Sequence, residues 1–288
     1  MCGIVGLFLK RPGLEPDLGT HLATMLGTMR DRGPDSAGFA VYGADTGAVK
    51  LTVRGSGLME FAAGQGVQAD LHDTHAILHV PPARLDAVRA AVAAHPDIVL
   101  VGEGHRMALF KEVGLPASVA TRFGLPAMAG THGIGHTRMA TESAVTTDGA
   151  HPYSTGPDQC LVHNGSLSNH NALRRRLVRE GYAFETENDT EVAAAYLSWR
   201  MREGDTLEAA LHAGLDDLDG FYTFVVGTRT GFAVLRDPVC CKPAVMAETD
   251  DWVAFGSEYR ALVDLPGIAH ATVWEPEPAR VYAWERAA

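Results

Sequence analysis

The chain has 288 residues, of which 46% are hydrophobic and 20% are charged, and its formal net charge at neutral pH is −11. This composition is typical of a globular protein with one large domain or two small ones, and it excludes a disordered chain. No segment carries a basic stripe, so nucleic acid is not an expected partner. The longest basic run, residues 174–176, lies in a helical pattern and is interpreted as a solvated helix face.

The cellular location is predicted from features that the sequence lacks. No apolar stretch approaches the ~20 residues that a membrane-spanning helix needs. Residues 1–10 have neither a basic start nor a long apolar stretch, so they do not resemble a secretory signal. The spacing of the four cysteines does not favour disulfides, because two are adjacent and no C-x-x-C occurs. We therefore expect a protein of the reducing cytoplasm without a membrane segment.

The first third of the chain begins with strands around one helix. Residues 2–9 are predicted to form a buried strand, and apolar residues at helical spacing predict a helix over 18–29. A turn rich in Gly and Pro follows. Residues 38–43 and 48–54 then have the pattern of two paired strands.

Residues 64–130 differ from their surroundings and predict an inserted subdomain. A strand at 75–80 precedes an alanine-rich helix that starts at Pro82. Two further strands are predicted at 97–101 and 107–113. The predicted order is therefore β-α-β-β, which is sufficient for a small folded unit.

The second half of the chain predicts helices between strands. Strands are expected at 133–139 and 159–163, then a helix capped by Ser168, and further helices beginning at Asp189 and near Thr206. The remaining segment is rich in Val, Phe, Tyr and Trp and is predicted to be mainly strands. Strands at both ends with helices between them indicate an α+β fold.

Cys2 is the first candidate for chemistry. It is followed by the small residue Gly3, and aminopeptidases that remove an initiator methionine favour a small second residue, so Cys2 is expected to become the terminal residue. Its free α-amino group, with a pKa of about 7.7–8.0, would act as the base for its own thiol. Considered alone, Cys2 would be interpreted rather as a small buried apolar residue at a strand start.

Four further motifs follow in order and strengthen the nucleophile interpretation. Together with the N-terminal segment, the motifs are Met1–Gly6, Arg32–Gly38, Gly135–Thr141, His163–Gly165 and Glu187–Glu191. The series resembles the class II glutamine amidotransferase domain found in glutamine phosphoribosylpyrophosphate amidotransferase, glucosamine-6-phosphate synthase, asparagine synthetase and glutamate synthase. The resemblance implies a four-layer αββα sandwich of antiparallel sheets, of the N-terminal nucleophile hydrolase type. The domain would span residues 2–288, with 64–130 inserted in it.

The resemblance also implies roles in binding glutamine. Arg138 corresponds to the residue that holds the α-carboxylate, a task suited to a bidentate guanidinium, and the alternative is a structural ion pair. Asp189 corresponds to the acid that holds the α-ammonium, and it could also cap a helix. Thr137 and His163, from the same motifs, are predicted to bind substrate. Glu187 and Glu191 are interpreted as flanking surface acids.

Two other motifs are expected to surround the reacting amide. Asn164, through its side chain, and Gly165, through its N–H, resemble an oxyanion hole, although the dipeptide is also typical of a tight turn. The loop residues Arg32, Gly33, Pro34 and Asp35 resemble the glutamine loop that closes over the substrate.

The implied reaction needs no metal and no organic cofactor on this chain. The thiolate attacks the amide, ammonia leaves, and water hydrolyses a glutamyl thioester, which gives glutamate. His132 and His136 are four residues apart but lie in a strand pattern, so no metal site is predicted.

The sequence ends near the expected end of the amidotransferase domain, so the acceptor chemistry is expected on a partner. Residues 36–43 and the insertion most resemble the stand-alone amidotransferase-like subunit of N-methylglutamate synthase and of similar glutamate-synthase-like systems. Partner subunits would then resemble the central and C-terminal parts of glutamate synthase and carry flavin mononucleotide. The alternatives are a free-standing amidase for another amide and a non-catalytic regulatory subunit.

Overall fold

A computed structural model describes residues 2–140 and 144–286. Met1 and Thr141, which belong to two of the motifs above, lie outside the described residues. The strands of the described part are β1 (Gly3–Leu9), β2 (Ser36–Tyr42), β3 (Val49–Gly55), β4 (Gln68–His72), β5 (His75–Val80), β6 (Ile98–Gly104), β7 (Met107–Val113), β8 (His132–Arg138), β9 (Tyr153–Gly156), β10 (Gln159–Leu167), β11 (Gly220–Gly227), β12 (Gly231–Arg236), β13 (Val245–Glu248), β14 (Trp252–Gly256), β15 (Thr272–Trp274) and β16 (Val281–Glu285).

The α-helices of the same part are α1 (Leu18–Thr28), α2 (Leu58–Gly64), α3 (Leu85–Ala93), α4 (Pro116–Arg122), α5 (His170–Arg179), α6 (Asp189–Arg202) and α7 (Leu207–Asp217). Short 3-10 turns connect several of these elements, among them Arg30–Arg32 before β2 and Tyr259–Ala261 after β14.

Two antiparallel sheets pack face to face and form the centre of the molecule. The first has the order β15-β13-β14-β1-β8-β2-β7, and the second has the order β16-β12-β11-β10-β9. Strand β1 lies inside the first sheet, between β14 and β8, and all seven of its residues are buried. Because strand side chains alternate between faces, Ile4 and Phe8 point into the layer between the sheets, where they meet Val225 and Phe232.

Helices cover the outer faces of both sheets. Helices α1 and α4 pack on the seven-stranded sheet through residues such as Leu22 and Val119. Helices α5, α6 and α7 pack on the five-stranded sheet, where Leu173, Tyr196 and Leu211 are buried. The layers therefore run α-β-β-α, which confirms the predicted α+β sandwich.

A separate four-stranded antiparallel sheet has the order β4-β5-β3-β6, and α2 and α3 cover it. The chain order β3-α2-β4-β5-α3-β6 with this strand order is the split β-α-β arrangement. We call residues 44–105 the inserted unit. Strands β2 and β7 pair directly, with Tyr42 opposite Met107, and the Gly43 N–H donates to the Arg106 carbonyl at 3.0 Å. The inserted unit thus emerges from the end of a β-hairpin.

These boundaries differ from the sequence-based ones. The predicted range 64–130 starts after β3, which belongs to the separate sheet, and it includes β7, which belongs to the seven-stranded sheet. Strands β2 and β3 were predicted to pair, and this is wrong because the short connection between them leads from one sheet into another. Periodicity alone shows that a strand exists, but it does not identify its neighbour.

Helix starts were predicted more accurately than caps. Helix α6 begins at Asp189 as expected, and Thr206 caps α7 by accepting a bond from the Ala209 N–H at 3.1 Å. Ser168 does not cap α5, because that helix starts at His170 and Asn169 occupies the cap position. Within residues 2–140 and 144–286 no helix combines the length and apolar character needed to span a bilayer.

Candidate active site

The backbone of Cys2 is held from two sides at the start of β1. Its carbonyl oxygen accepts a hydrogen bond from Arg32 Nε at 3.0 Å and another from Asn164 Nδ2 at 3.2 Å. Arg32 is itself fixed, because its Nη1 lies 2.6 Å from a carboxylate oxygen of Glu258. The Cys2 Sγ lies 4.0 Å from the Met139 carbonyl oxygen. The nucleophile candidate therefore has a fixed main chain and a partly exposed thiol.

The Cys2 thiol faces a cleft of about 520 Å³ where β8, β10 and the start of α6 meet. Four residues predicted from separate motifs line this one cleft, namely Cys2, Arg138, Asn164 and Asp189. Gly165 and His163 line it as well. The structure thus brings together a thiol, a carboxamide, a guanidinium and a carboxylate that are distant in sequence.

Arg138 is the last residue of β8 and is 8% exposed. Its Nη1 donates to the Ala144 carbonyl at 3.4 Å. Its neighbour Thr137 points to the opposite face of the strand, where its hydroxyl donates to the Met29 carbonyl at 3.1 Å. Among the described residues that line the cleft, Thr137 does not occur. A substrate contact by Thr137 stays a prediction.

Asn164 and Gly165 lie within β10, opposite Thr223 and Tyr222 of β11. The alternative of a tight turn is therefore wrong. Gly165 has a φ of +152°, and a Cβ at this position would lie 2.0 Å from the Phe221 carbonyl oxygen. Only glycine fits this backbone position, because other residues rarely adopt this φ and would also collide with β11.

Asp189 is the first residue of α6, and its Oδ2 accepts a hydrogen bond from the Leu167 N–H at 2.9 Å. The helix cap is the preceding Asn188, whose Oδ1 accepts from the Thr190 N–H at 2.9 Å. The alternative that Asp189 is the cap is therefore wrong. Burial opposes ionisation of Asp189, but the neighbouring His163 and the Leu167 N–H outweigh it and lower the pKa of this carboxyl to about 2. Asp189 is thus an anion at neutral pH.

Three buried histidines form one wall beside the cleft. The rings of His136 and His151 stack with centroids 4.0 Å apart, and His136 Nε2 lies 3.0 Å from the His163 carbonyl oxygen. The Thr190 hydroxyl lies 2.9 Å from His163 Nδ1 and 3.5 Å from His151 Nε2. Burial lowers the pKa of His136 to about 3 and also lowers that of His151. These two rings are therefore uncharged at neutral pH.

The predicted glutamine loop lies behind this wall. The Asp35 carboxylate accepts a hydrogen bond from the Ala140 N–H at 2.8 Å. A Cβ on Gly33 would lie 2.4 Å from the carbonyl carbon of Thr137, so this glycine permits close packing. Gly33, Pro34 and Asp35 do not occur among the described residues that line the cleft, and neither does Arg32, which contacts Cys2. A closing role for residues 32–35 stays a prediction.

Sequence reasoning missed residues 144–150, which follow Arg138 and contribute to the cleft wall through Ala144, Thr146 and Gly149. The turn chemistry of Thr-Thr-Asp-Gly at 146–149 was the available signal. Glu191 was interpreted as a surface acid, and this is wrong, because it is 6% exposed. Its carboxylate accepts hydrogen bonds from the N–H groups of Glu185 and Thr186 at 2.8 and 2.9 Å, which fixes the loop before α6.

A second cavity of about 500 Å³ lies between the edge strands β6 and β9. It is lined by both charge types, including Arg89, Glu103, Lys111 and Asp148. Arg89 and Glu103 pair with each other, with Nε 2.7 Å from a carboxylate oxygen. Within the described parts of the chain, no group of three or more His, Cys, Asp or Glu side chains is arranged to hold a metal ion.

Known proteins resemble this chain over its full length. The glutamine amidotransferase-like protein GlxB of Rhizobium meliloti is 61% identical, and the match covers 99% of this chain and 98% of that protein. The chain belongs to the class II glutamine amidotransferases, a family of enzymes. The family model described as "Glutamine amidotransferase domain" matches residues 136–264, which include the end of β8 and the whole of β10 and α6.

Two further relatives support the family and the fold. A putative glutamine amidotransferase of Methanothermobacter thermautotrophicus is 32% identical over 98% of this chain and 99% of its own. The solved glutamine phosphoribosylpyrophosphate amidotransferase of B. subtilis has a TM-score of 0.64 at 21% identity, with 99% of this chain and 47% of that chain covered. The solved structure supports the fold only, since its identity is low. In this member of the family, residues from four of the five motifs line the cleft at Cys2.

Proposed function

We propose that this amidotransferase hydrolyses L-glutamine to glutamate and ammonia through a thioester on Cys2, and that it supplies the ammonia to a partner synthase. The observation that carries the proposal is the convergence of Cys2, Arg138, Asn164 and Asp189 on one cleft. A nucleophile, an oxyanion donor and two opposite charges match the four features of glutamine that the reaction must address.

The first step is attack by the Cys2 sulfur on the side-chain amide carbon. After removal of Met1, the α-amino group of Cys2 takes the thiol proton directly or through a water molecule. The two hydrogen bonds to the Cys2 carbonyl, from Arg32 and Asn164, restrict the main chain on which thiol and amine are both carried. A fixed main chain favours attack because reacting groups gain most from being held in position before reaction.

The second requirement is stabilisation of the oxyanion. The Asn164 carboxamide has two N–H bonds, and one of them points to the Cys2 carbonyl at 3.2 Å. The other is free to donate to an oxyanion next to the sulfur, together with the Gly165 N–H. Collapse of the tetrahedral intermediate then expels ammonia, which receives the proton that the Cys2 amino group has taken up. Water then hydrolyses the thioester, which releases glutamate and regenerates the thiol.

Charge complementarity supports an α-amino acid as substrate. Arg138 matches the α-carboxylate, and Asp189, with its lowered pKa, is the anion that matches the α-ammonium. Because burial keeps the nearby His136 and His151 uncharged, they do not repel the ammonium at neutral pH. A substrate without one of these charged groups would lose one of the two charge contacts.

The direct test is a hydrolysis assay with glutamine and with a panel of other amides, together with the intact mass of the protein. We expect glutamate release from glutamine, little turnover of amides without the α-amino and α-carboxyl groups, and a chain that lacks Met1. Equal turnover of simple amides would favour the free-standing amidase. A protein that retains Met1 and still hydrolyses glutamine at full rate would contradict the role of the Cys2 amino group.

The proposed partner is a synthase that resembles the central and C-terminal parts of glutamate synthase and carries flavin mononucleotide. Support comes from the resemblance of residues 36–43 to the stand-alone subunit of N-methylglutamate synthase systems. Free ammonia is mostly ammonium at neutral pH, so uncoupled hydrolysis would waste glutamine. Glutamate release should therefore be slow for the chain alone and faster with the partner and its acceptor. A lone chain that is as fast as the complex would contradict the subunit role.

We further propose that the inserted unit is the docking surface for this partner. The hairpin geometry allows a clean excision, because Gly43 and Arg106 are already hydrogen bonded at 3.0 Å. Replacing residues 44–105 with a two-residue turn should close the hairpin of β2 and β7. The shortened chain should keep residual glutamine hydrolysis and lose complex formation. A complex that forms equally well without the unit would contradict the docking role.

A further inference from the structure

The wall of the glutamine cleft includes a segment that is held from outside the cleft. We call residues 144–150 the cleft wall. Its Ala144, Thr146 and Gly149 line the cleft, and its Ala144 carbonyl accepts the hydrogen bond of Arg138. Few internal bonds hold it, such as the one from the Gly149 N–H to the Thr146 hydroxyl at 3.1 Å. Its position therefore depends on its neighbours.

Lys111 of β7 is the first of these neighbours. Its ammonium donates to the carbonyls of Asp148 at 3.1 Å and Ala150 at 3.0 Å, and it lies 4.4 Å from the ring centroid of Tyr153. Lys111 is 8% exposed, and burial lowers its pKa to about 8, so it is mainly charged at neutral pH. A buried ammonium with two carbonyl acceptors in one short segment fixes the path of that segment.

The inserted unit supplies a second hold on the outer side. Arg54 of β3 forms an ion pair with the Asp148 carboxylate. The Thr74 hydroxyl, in the turn between β4 and β5, lies 3.4 Å from Oε2 of Glu112, and the other oxygen of Glu112 accepts a hydrogen bond from Thr147. Two separate connections therefore run from the inserted unit to the cleft wall.

The Arg54 connection ends beside a cavity that is open to other molecules. Lys111 and Asp148 both line the second cavity, between β6 of the inserted unit and β9 of the main sandwich. The Asp148 side chain is 51% exposed and that of Arg54 is 24% exposed. A partner that moves the inserted unit relative to the sandwich would change the distance between Arg54 and Asp148.

We propose that Arg54 and Lys111 are positioning residues that hold the cleft wall in its glutamine-binding place, and that the inserted unit controls the cleft through Arg54. This inference rests on the proposed glutamine hydrolysis and names its regulation. A partner that docks on the inserted unit would raise or lower glutamine binding by tightening or releasing Arg54. Neither residue lines the cleft, so Arg54 acts through the Asp148 side chain and Lys111 acts through the carbonyls of Asp148 and Ala150.

The test compares Arg54→Gln with Arg89→Gln in the full-length chain. Arg89 is the matched control, because it forms an ion pair with Glu103 in the same inserted unit without contacting the cleft wall. Hydrogen–deuterium exchange of peptides that cover residues 144–150 should speed up in Arg54→Gln and stay at the wild-type rate in Arg89→Gln. For glutamine, KM should rise about two- to fivefold with kcat unchanged, as expected for loss of a partly exposed ion pair. Arg54→Lys should keep part of the slow exchange and part of the low KM that are lost in Arg54→Gln.

Lys111→Met should act in the same direction with a larger effect. It keeps the apolar stem but leaves two carbonyls without their donor, so KM should rise about tenfold or more. If this variant unfolds the strand, Asp148→Asn decides, because it breaks the Arg54 pair from the wall side and leaves the inserted unit intact. Faster exchange confined to residues 144–150 in that variant supports the inference.

Wild-type exchange in Arg54→Gln and in Asp148→Asn would overturn the inference, whatever the activity. The exchange measurement does not require turnover, so it remains decisive if the wild-type chain fails to hydrolyse glutamine. In that case the proposed function is contradicted, while the exchange measurement still tests whether Arg54 holds the cleft wall. If the wild-type chain hydrolyses glutamine, and Arg54→Gln has the same KM and the same exchange rate at residues 144–150 as Arg89→Gln, the proposed function stands and the role of Arg54 is contradicted.

Discussion

The cleft at Cys2 and the cavity beside the inserted unit are nearly equal in size, about 520 and 500 Å³. They differ in what their charged groups do. In the cavity, Arg89 and Glu103 satisfy each other. In the cleft, Arg138 and Asp189 lie on different elements, and neither is the other's ion-pair partner among the described residues. Volume alone would not distinguish the two regions, whereas the arrangement of unlike groups does.

The comparison extends to the backbone. The cleft has a glycine at a φ of +152° and a nucleophile whose carbonyl accepts two side-chain donors. The cavity lies between two edge strands, β6 and β9, and includes a bulge where the register of β6 shifts against β3. Backbone constraint at Gly165 and Cys2 suits a site that must hold reacting atoms, and edge strands suit an interface between parts that move.

The largest expected difference between the two regions is in the rate of glutamine hydrolysis after one side-chain heteroatom is removed from each. Cys2→Ala should lower glutamine hydrolysis by about 10⁴-fold or more, because no other group replaces the nucleophile. Ser154→Ala, which removes a hydroxyl from the second cavity, should leave turnover unchanged. Both rates would be measured as glutamate release, with circular dichroism to confirm folding. Equal losses of glutamate release in the two variants would contradict the assignment of the reaction to the cleft.

The next largest effect is expected for the oxyanion donor. Asn164→Ala should lower kcat by about 10²–10³-fold with little change in KM, because the donor acts mainly in the transition state. The matched control is Asn169→Ala, since Asn169 Nδ2 donates to the Asp217 carbonyl at 2.8 Å, away from the cleft. Steady-state kinetics of both variants would decide. A rise in KM with normal kcat would place Asn164 in ground-state binding instead.

The charge partners of glutamine should show a smaller effect, on binding. Arg138→Lys keeps the charge but loses the bidentate geometry, and Asp189→Asn loses the charge, so each should raise KM by about 10–100-fold. Arg200→Lys is the control, because Arg200 pairs with Asp205 near the far end of α6. If either cleft variant keeps the wild-type KM and Arg200→Lys does too, that binding assignment is wrong.

The resemblance of the motifs to a known family allowed prediction of the sandwich and of four residues that line the cleft, Cys2, Arg138, Asn164 and Asp189. Asp189 at the start of α6 was also predictable from the local pattern, because an acid before a helical pattern marks the helix start. The pairing of β2 with β7 was not predictable in the same way. It joins residues on both sides of a 62-residue unit, and no local signal reports a contact over that distance.

Residues 144–150 were missed for a related reason. The segment has turn residues but no periodic pattern, and its place is set by Lys111 and Arg54 from distant strands. Likewise, the burial of Glu191 follows from backbone donors in the preceding loop, which composition cannot reveal. Local sequence predicts elements and their ends, whereas long-range polar contacts decide which loops line the site.

The last expected effect concerns pH and compares histidines of the two regions. Burial lowers the pKa of His75, in the inserted unit, to about 3, as it does for His136 beside the cleft. Both folded values lie below the ordinary value of 6.5, so the unfolded chain binds protons that the folded chain excludes. Each ring thus contributes stability that is complete above pH 6.5 and is lost as the pH falls from 6.5 towards 3, at about 1.4 kcal/mol per pH unit.

His75→Phe tests this in the inserted unit without touching the cleft. The ring packs against Phe123 with centroids 4.7 Å apart, and its buried Nε2 has no hydrogen-bond partner among the described residues. Its Nδ1 lies 3.1 Å from the Thr74 hydroxyl, which also has Glu112 as an acceptor, so phenylalanine should fit. The free energy of unfolding in urea should then fall less steeply with acid, by about 1.4 kcal/mol per pH unit below pH 6.5. Leu78→Met, in the same strand, is the control, because it changes packing without changing proton uptake and should leave the slope unaltered. If the free energy of unfolding of His75→Phe changes with pH as steeply as that of the wild type, His75 is protonated in the folded chain and acid acts through other groups. A shallower slope with unchanged glutamine hydrolysis would show that the inserted unit contributes to acid sensitivity independently of the cleft.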